Sequence, residues 1–384
     1  MHDLKDIAGM EKKDRPKRVL LVANVVREHV LKFHVPCIRR MREQGWTVDV
    51  AASGDEEVPY CSHQIHGLWK RSPFTLDTLR GIRQLRRVID EGDYDIIYCH
   101  TPVGALVARL AAKNARRQGT KVVYFAHGFH FFTGAPLINW LLFYPIERLL
   151  ARETDLLITL NDEDDARARR VFPKALSVVQ VPGAGVDFSR LDVDDRAQTR
   201  HAKREQWQVS QDALVLMYVA ELIRNKNQEM LLEMLLGVRR ERPDAVLVLV
   251  GPDHANGHYQ RLARRMGLED AVRFTGWSSD IGGCLCAADI YVASSKREGL
   301  ALNIVEAMYC GLPVVATDNR GHVPIIRDGE NGFLVHVGES GKMAQRVLEI
   351  AREPQLRERF SRADVSRYSA DAVSRQIVEI LTNV

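Results

Sequence analysis

The stretch REGLALNIVEAMYCGLPVVATDNRG, residues 297–321, carries two glutamates, Glu298 and Glu306, with seven residues between them. A strand-like run, ADIYVASS, comes shortly before the turn at Gly299, and the strand former PVVATD lies near the end of the stretch. Between the two runs, apolar residues recur at helical spacing and predict a helix that begins near Leu300. This order of strand, loop, helix and strand is typical of α/β proteins.

Strand-like runs alternate with helical patterns on both sides of this stretch. Such alternation predicts parallel sheets that are covered by helices on both faces. It restarts after a polar segment at 188–213, which we interpret as a connection between two similar α/β units. The predicted strands lie at 18–26, 46–52, 94–100, 121–128, 155–161 and 177–187 in the first unit, and at 214–222, 245–253, 272–277, 289–295, 313–318 and 332–337 in the second.

The length of 384 residues exceeds what one hydrophobic core usually serves, and this also predicts two domains. We expect a flexible tail at 1–16, a first domain at 17–190 and a second domain at 191–367. The final helix, 368–384, is expected to cross back onto the first domain. Because ligands in such sheets bind beyond the carboxyl ends of the strands, a site is expected in the loops that follow strands.

Composition and missing motifs exclude several classes of protein. Hydrophobic residues make up 46% of the chain and charged residues 27%, as in ordinary globular proteins. The net charge of +4 is mild and the arginines are dispersed, so no nucleic-acid partner is expected. The six cysteines lack CxxC spacing, which favours free thiols. Neither GxGxxG nor GxxxxGKS/T occurs, which argues against a nicotinamide cofactor and an ATP-binding P-loop, and we expect no cofactor.

An anion site is predicted at the start of the second set of strands. Arg224 and Lys226 follow the strand at 214–222 and precede an expected helix N-terminus, where cations and backbone N–H groups together bind phosphate. Gly251 ends the next strand, and its lack of a side chain would let a ligand approach the backbone closely. A solvated basic turn and a glycine that merely ends a strand are the alternative interpretations.

The two glutamates extend this prediction to a class of ligand. If both were helical, a step of eight positions would place them about 12 Å apart along the helix axis. The positive end of the helix dipole would lie between them. This arrangement suits a nucleoside diphosphate sugar, which has an anion in the middle and hydroxyl groups at both ends. The alternative is a helix with one dipole-compensating glutamate, which explains one of the two easily and the pair less well. The N–H groups between the glutamates follow Gly299 and belong to Leu300, Ala301, Leu302 and Asn303.

The pattern Glu298-x7-Glu306, followed by IIRDGENGFLV, resembles the retaining glycosyltransferases of family 4. The resemblance extends over nearly the whole chain from about residue 17. In the first half, AHGFHFFTGAP and NWLLFYPIERLLARETDLLITLNDEDDARA are similar to the branch of the family that builds capsular and exopolysaccharide repeat units. The resemblance implies an α/β protein of GT-B fold, with two Rossmann-like parallel-sheet domains that face each other across a cleft.

The resemblance also implies roles for matching residues. Glu306 would bind the ribose, Glu298 the donor sugar and Lys226 the diphosphate, while helix amides take the remaining phosphate oxygens. His127 would face the donor sugar near the reacting carbon and would form the catalytic set with Glu298 and Lys226. A strand-end histidine bonded to backbone is the alternative for His127. On the acceptor side, the resemblance points to His29, Lys32, His34 and His130.

The implied reaction moves a hexosyl or N-acetylhexosaminyl group from a nucleotide sugar, expected to be a UDP-sugar, to a lipid-linked saccharide with retention of configuration. Lys226, Arg224 and the helix N-terminus would stabilise the charge on the departing diphosphate, so no metal is expected. Ala220 and Glu221 depart from the family pattern, which has a Gly-Arg pair there. The alternatives are a nucleotide-sugar epimerase of the same fold and a non-catalytic partner subunit of a polysaccharide assembly complex.

One segment of the first half, APLINWLLFYPIERLLARE at 135–153, is unusually apolar for a surface. Bulky side chains such as Trp140 and Phe143, with Arg148 and Arg152 at the edge, are typical of helices that lie in a membrane interface. A core helix or a subunit interface is the alternative. We therefore expect a cytoplasmic protein, with peripheral docking on the inner face of the cell membrane as the hypothesis.

Overall fold

The computed structural model describes residues 15–69, 75–173 and 176–384. These residues form two compact units: the first comprises the described residues up to Ala184 together with Ala370–Val384, and the second comprises Gly185–Ser369. Most of the tail predicted at 1–16 lies outside the described residues. The chain therefore returns to the first unit for its last helix.

The described residues of the first unit contain a parallel sheet of seven strands in the order β3-β2-β1-β4-β5-β6-β7. The central strands are runs of buried apolar residues, as expected for a parallel sheet that does not face water. The strands are β1 Arg18–Val25, β2 Thr47–Ser53, β3 Gln64–His66, β4 Ile96–His100, β5 Lys121–Phe125, β6 Leu156–Thr159 and β7 Ser177–Gln180.

The helices of the first unit connect these strands, and one segment among them is unusual. Residues Val26–Val30, directly after β1, form a π-helix, a rare conformation that is frequent at functional sites. The α-helices are α1 Leu31–Phe33, α2 Val35–Glu43, α3 Leu76–Gly92, α4 Pro102–Ala111, α5 Lys113–Arg117, α6 Leu137–Leu150, α7 Asp162–Val171 and, from the end of the chain, α15 Ala370–Thr382; a 3₁₀ turn, Ala151–Glu153, follows α6.

The second unit contains a parallel sheet of six strands in the order β10-β9-β8-β11-β12-β13. All its strand pairs are parallel. The strands are β8 Val215–Val219, β9 Val246–Val250, β10 Val272–Gly276, β11 Ile290–Ala293, β12 Val314–Thr317 and β13 Phe333–Val335. The helices are α8 Arg196–Gln206, α9 Gln228–Arg239, α10 His258–Arg265, α11 Ile281–Cys286, α12 Leu302–Tyr309, α13 Ser340–Arg352 and α14 Pro354–Ser361, with 3₁₀ turns at Phe188–Leu191 and Ser366–Tyr368.

The segment 188–213, which we interpreted from its polarity as a connection, is instead an integral part of the second unit. It contains α8, whose N-terminus is capped by the side chain of Asp195. Arg204 on this helix is fully buried, and its guanidinium donates to Asp289 at 2.8 Å. A helix can bury so polar a residue because the guanidinium is paired and hydrogen-bonded.

In both sheets the strand order reverses at one position, between β1 and β4 in the first and between β8 and β11 in the second. At such a position the loops from two neighbouring strands diverge and leave a crevice at the carboxyl end of the sheet, where ligands of open α/β proteins bind. Each unit therefore has one favoured edge for a site. No helix of the described residues is long and apolar enough to cross a membrane.

Candidate active site

The loops that follow β8 and β11 are joined to each other at the point where the second sheet reverses. The side-chain amide of Asn225 donates to the Arg297 carbonyl at 2.9 Å. The hydroxyl of Ser294 donates to the Lys226 carbonyl at 2.8 Å. These bonds fix the two loops in one arrangement, so that side chains from separate parts of the sequence form a single group.

Lys226 and Glu298 lie in direct contact within this group. The Lys226 Nζ atom is 2.5 Å from Oε1 of Glu298, and the hydroxyl of Ser295 donates to the same oxygen at 2.6 Å. The two charged side chains are only 19% and 16% exposed. The structure therefore brings together the two residues that we expected at the diphosphate and at the donor sugar.

The position of Glu298 is determined by its surroundings. A Cβ atom on Gly321 would lie 2.4 Å from the Cβ of Glu298, so only glycine permits this approach. The side chains of Thr317 and Asn319 donate to the carbonyl of Ser295 at 2.7 and 2.8 Å. The carboxylate is thus held by packing and by a buried polar layer, as a preorganised ligand group must be.

The helix after this loop begins slightly later than we expected. α12 begins at Leu302, not near Leu300, and the flanking Ala301 provides no side-chain cap for its first N–H groups. Asn303 fastens the helix to the end of β8, because its side-chain amide donates to the Val219 carbonyl at 2.9 Å. Glu306 is four residues into the helix, about one turn from its start. Gly299, Leu300 and Ala301 therefore belong to the loop, and only Leu302 and Asn303 to the helix.

Glu306 is buried, at 8% exposure, and its carboxylate contacts the guanidinium of Arg190. Burial raises the pKa of Glu306, and the charge and hydrogen bond of Arg190 oppose this rise. Sequence reasoning missed Arg190, which lies in the 3₁₀ turn Phe188–Leu191 of a segment that looked like a linker. Because Arg190 lies 116 positions before Glu306, no local sequence pattern could indicate this contact.

Arg224 and Gly251 lie near the Lys226 loop but have different surroundings. Arg224 is exposed, and its charge partly opposes a rise in the pKa of Tyr259 on α10. At Gly251, a Cβ atom would lie 2.1 Å from the carbonyl oxygen of Ala220. The glycine is thus required for the close approach of two backbone segments, whatever ligand it also meets.

In the first unit, four histidines meet at the edge where its sheet reverses. His29 lies on the π-helix after β1, His100 ends β4, and His127 follows β5. Nε2 of His29 is 3.1 Å from Nε2 of His34, and Nδ1 of His100 is 3.3 Å from Nε2 of His127. We did not predict His100, although its position at the carboxyl end of a buried strand could have indicated it.

Burial keeps these imidazoles neutral. It lowers the pKa of His29 to about 4 and the pKa values of His34, His100 and His127 well below their usual range. His34 and His100 are buried, while His29 and His127 remain partly exposed. The cluster thus presents uncharged ring nitrogens at its accessible side.

The other two residues predicted on the acceptor side lie apart from this cluster. The ring of His130 packs against Phe143 with centroids 4.6 Å apart. Lys32 is exposed and forms an ion pair with Glu28 at 3.1 Å. His29 and His130 nevertheless line one cavity of about 470 Å³, whose other walls are mainly apolar and include Leu142 and Phe143 of α6.

The helix α6 presents different residues to solvent than its sequence suggested. Trp140 is partly buried against Phe131, with ring centroids 5.8 Å apart, and the guanidinium of Arg167 lies 4.8 Å from its ring. Phe143 is also partly buried. The exposed apolar surface of this segment is instead aliphatic, formed by Leu137, Ile138, Leu141, Leu142 and Leu149.

The sequence matches two family models and many known proteins. Residues 199–366 match the model described as "Glycosyl transferases group 1", and residues 18–161 match "Glycosyl transferase 4-like". EpsD of Bacillus subtilis (strain 168) is 43% identical over 88% of this chain and 89% of its own length. A UDP-Gal:alpha-D-GlcNAc-diphosphoundecaprenol alpha-1,3-galactosyltransferase of Escherichia coli is 24% identical over 72% of each chain.

Solved structures share the fold at lower identity. HepE of Anabaena in complex with UDP superposes with a TM-score of 0.78 at 21% identity, covering 96% of this chain and all (100%) of that one. WaaG, a glycosyltransferase involved in lipopolysaccharide biosynthesis, has a TM-score of 0.71 at 17% identity over 96% of this chain and 100% of its own. These structures confirm the predicted GT-B fold. The two family models and the 43% identity to EpsD show that the chain belongs to the group 1, family-4-like glycosyltransferases.

Proposed function

We propose that this protein transfers a hexosyl or N-acetylhexosaminyl group, with retention, from a UDP-sugar to a lipid-linked saccharide during the synthesis of a surface polysaccharide. The observation that carries the proposal is the contact of Lys226 with Glu298 at the reversal point of the second sheet, where Glu298 lies in the loop directly before α12. We propose that these two residues form one donor-binding group with Glu306 of that helix. The group provides acceptors for hydroxyl groups and donors for a diphosphate.

In the proposed donor complex, the diphosphate lies at the N-terminus of α12 and displaces Glu298 as the partner of Lys226. Glu298 then accepts hydrogen bonds from the donor sugar, while Ser295 continues to orient it. Glu306 accepts from the ribose hydroxyls. Arg190, which contacts Glu306, must share that carboxylate or move aside when the ribose binds.

In the proposed reaction, the enzyme lowers the barrier mainly by stabilising the charge on the leaving group. When the bond between the sugar and UDP breaks, negative charge grows on the departing diphosphate. Lys226 and the N–H groups of α12 stabilise that charge more strongly than they stabilise the bound donor, and this difference lowers the barrier. Arg224, which is exposed and near α10, would add to this stabilisation if its side chain turned toward the diphosphate. His127 remains the proposed partner of the donor sugar near the reacting carbon.

The acceptor side of the proposal rests on the first unit and on relatives. The Escherichia coli relative is named for a diphosphoundecaprenol acceptor, and EpsD is named as a glycosyltransferase. The apolar cavity beside His29 and His130 would accept part of a lipid-linked saccharide. The exposed aliphatic surface of α6, with Arg148 and Arg152 at its edge, would lie in the membrane interface that holds such lipids.

A donor screen followed by a transfer assay tests this function. UDP- and GDP-sugars are first compared for thermal stabilisation, because a ligand that binds only the folded protein raises the apparent stability by mass action. The best donor is then incubated with and without polyprenyl-diphosphate saccharide. Transfer only when the lipid is present supports the proposal. Isomerised free nucleotide sugar would indicate the epimerase, and binding without turnover would indicate a non-catalytic partner subunit.

A further inference from the structure

The four-histidine cluster of the first unit has the geometry of a metal site. One nitrogen from each of His29, His34, His100 and His127 lies within 4.8 Å of the other three. Imidazoles bound to Zn²⁺ at about 2.0–2.1 Å in a tetrahedron stand about 3.4 Å apart. The two closest nitrogen pairs, at 3.1 and 3.3 Å, already have nearly that spacing. We propose that these histidines bind one divalent transition-metal ion, with zinc as the favoured ion.

The surroundings of the cluster favour a ligand over a packed core of imidazoles. Each of the two close pairs requires one nitrogen to donate a proton and the other to accept it, with Nδ1 as the atom of His100 that faces the cluster. An ion between the four rings would use all four nitrogens as ligands.

The backbone at this edge has two uncommon features, both next to ligand residues. His29 lies on the π-helix Val26–Val30, and Thr101, directly after His100, has φ 62° and ψ 152°. A non-glycine residue in that conformation is strained, and such strain clusters at functional sites where the surroundings enforce it. The sheet also reverses here, between β1 and β4, which is where α/β sheets bind ligands.

The type of ligand, neutral imidazole, determines which ions this site would bind. Neutral imidazole suits zinc, copper and nickel, whereas Mg²⁺ and Ca²⁺ prefer oxygen ligands. Four protein ligands leave no open position, which is typical of structural zinc sites. The ion would thus fix the π-helix against β4 and β5, and the proposed transfer reaction at the second unit would still need no metal.

The proposal is compatible with a role for His127 at the donor sugar. The nitrogen of His127 that faces His100 is Nε2. A histidine that binds a metal through one nitrogen keeps the other as an N–H donor, and the ion fixes its orientation. Nδ1 of His127 could therefore still donate to a sugar hydroxyl. Metal binding and donor binding can be measured separately, so either proposal can fail alone.

The test measures binding of the metal itself to tag-free protein stripped with a chelator. Zn²⁺ is titrated against a competing chromophoric chelator, and Co²⁺ serves as a spectroscopic probe of the geometry. We expect one equivalent of Zn²⁺ with a Kd below about 1 µM, four-coordinate Co²⁺ absorption, and a Zn²⁺-dependent rise in Tm. His29→Gln and His127→Gln, both partly exposed positions, should each weaken binding at least about 10-fold, and the double variant should abolish it.

The control is His66→Gln, an exposed histidine on β3 of the same unit that lies outside the cluster. This variant should bind Zn²⁺ like the unchanged protein. The proposal is overturned if no saturable binding occurs below about 100 µM Zn²⁺, a concentration at which a four-imidazole site would be filled. It is also overturned if the folded double variant binds as tightly as the unchanged protein, or if bound Co²⁺ shows an octahedral spectrum.

Discussion

Replacing Lys226 with methionine separates its ion pair with Glu298 from the catalytic role that we propose for it. Lys226 neutralises the largely buried carboxylate of Glu298, with 2.5 Å between Nζ and Oε1. Leaving that carboxylate without its cation should reduce the free energy of unfolding by about 1–3 kcal/mol, the range for an unsatisfied buried group. In the reaction, losing one charge-stabilising group should lower turnover by at least about 100-fold, or about 2.7 kcal/mol of barrier.

The two effects respond differently to a second substitution. In Lys226→Met/Glu298→Gln, no unpaired charge remains, and glutamine can still accept from Ser295. The double variant should therefore recover most of the lost stability in urea unfolding, while single-turnover cleavage of the donor stays slow. Lys203→Met is a matched control, because Lys203 is also a mostly buried lysine, 20% exposed, paired with Asp280 at 2.8 Å in the second unit. It should lose some stability and keep its turnover.

One result would refute this reasoning. A folded Lys226→Met protein with turnover within about 3-fold of the unchanged protein would mean that Lys226 does not carry the leaving-group charge. The exposed Arg224 or the N–H groups of α12 would then have to do so. Arg224→Met would decide between them.

Three further predictions concern the ribose site, the histidine cluster and the membrane. Glu306→Ala should weaken UDP binding at least about 10-fold in calorimetry, through loss of a charged hydrogen-bond acceptor, and unchanged affinity in a folded variant would remove Glu306 from the ribose site. Without metal, the free energy of unfolding should fall as the pH drops below about 6.5, because the histidines of the unfolded chain then bind protons while the buried imidazoles stay neutral. Burial lowers the pKa of His29, for example, to about 4. A urea midpoint that does not change between about pH 7 and pH 5 would contradict this prediction. Leu137→Ser/Leu141→Ser should reduce co-sedimentation with anionic vesicles while UDP-sugar binding persists, and a protein that stays in the supernatant at low salt before any substitution would refute membrane docking.

The strands could be predicted from sequence where burial leaves a clear pattern. The first four residues of β4 and all four of β11 are buried and apolar, so both appear as uninterrupted apolar runs. The three-residue edge strand β3 has an exposed, half-buried and exposed pattern and gave no such run. Helix α8 was missed because its buried residue is an arginine, Arg204, and arginine is usually exposed to solvent.

The candidate site divides in the same way. Lys226 and Glu298 follow neighbouring strands, and their proximity therefore follows from parallel topology. The Arg190 contact with Glu306 spans 116 residues and could not follow from any local pattern. We predicted the start of α12 too early because the residues before it, Gly299–Ala301, include no capping side chain that would indicate where the helix begins.

The return of α15 to the first unit has a consequence for synthesis on the ribosome. Val373, Ile377 and Leu381 of this helix are buried, and Lys17 donates to the Thr382 carbonyl at 2.7 Å. The unit whose residues are made first is therefore completed last, after Gly185–Ser369 has been translated. At about 5–20 residues per second, that wait is roughly 10–40 s. During this time the apolar surface that α15 covers is exposed in the nascent first unit, and such surface is what chaperones bind.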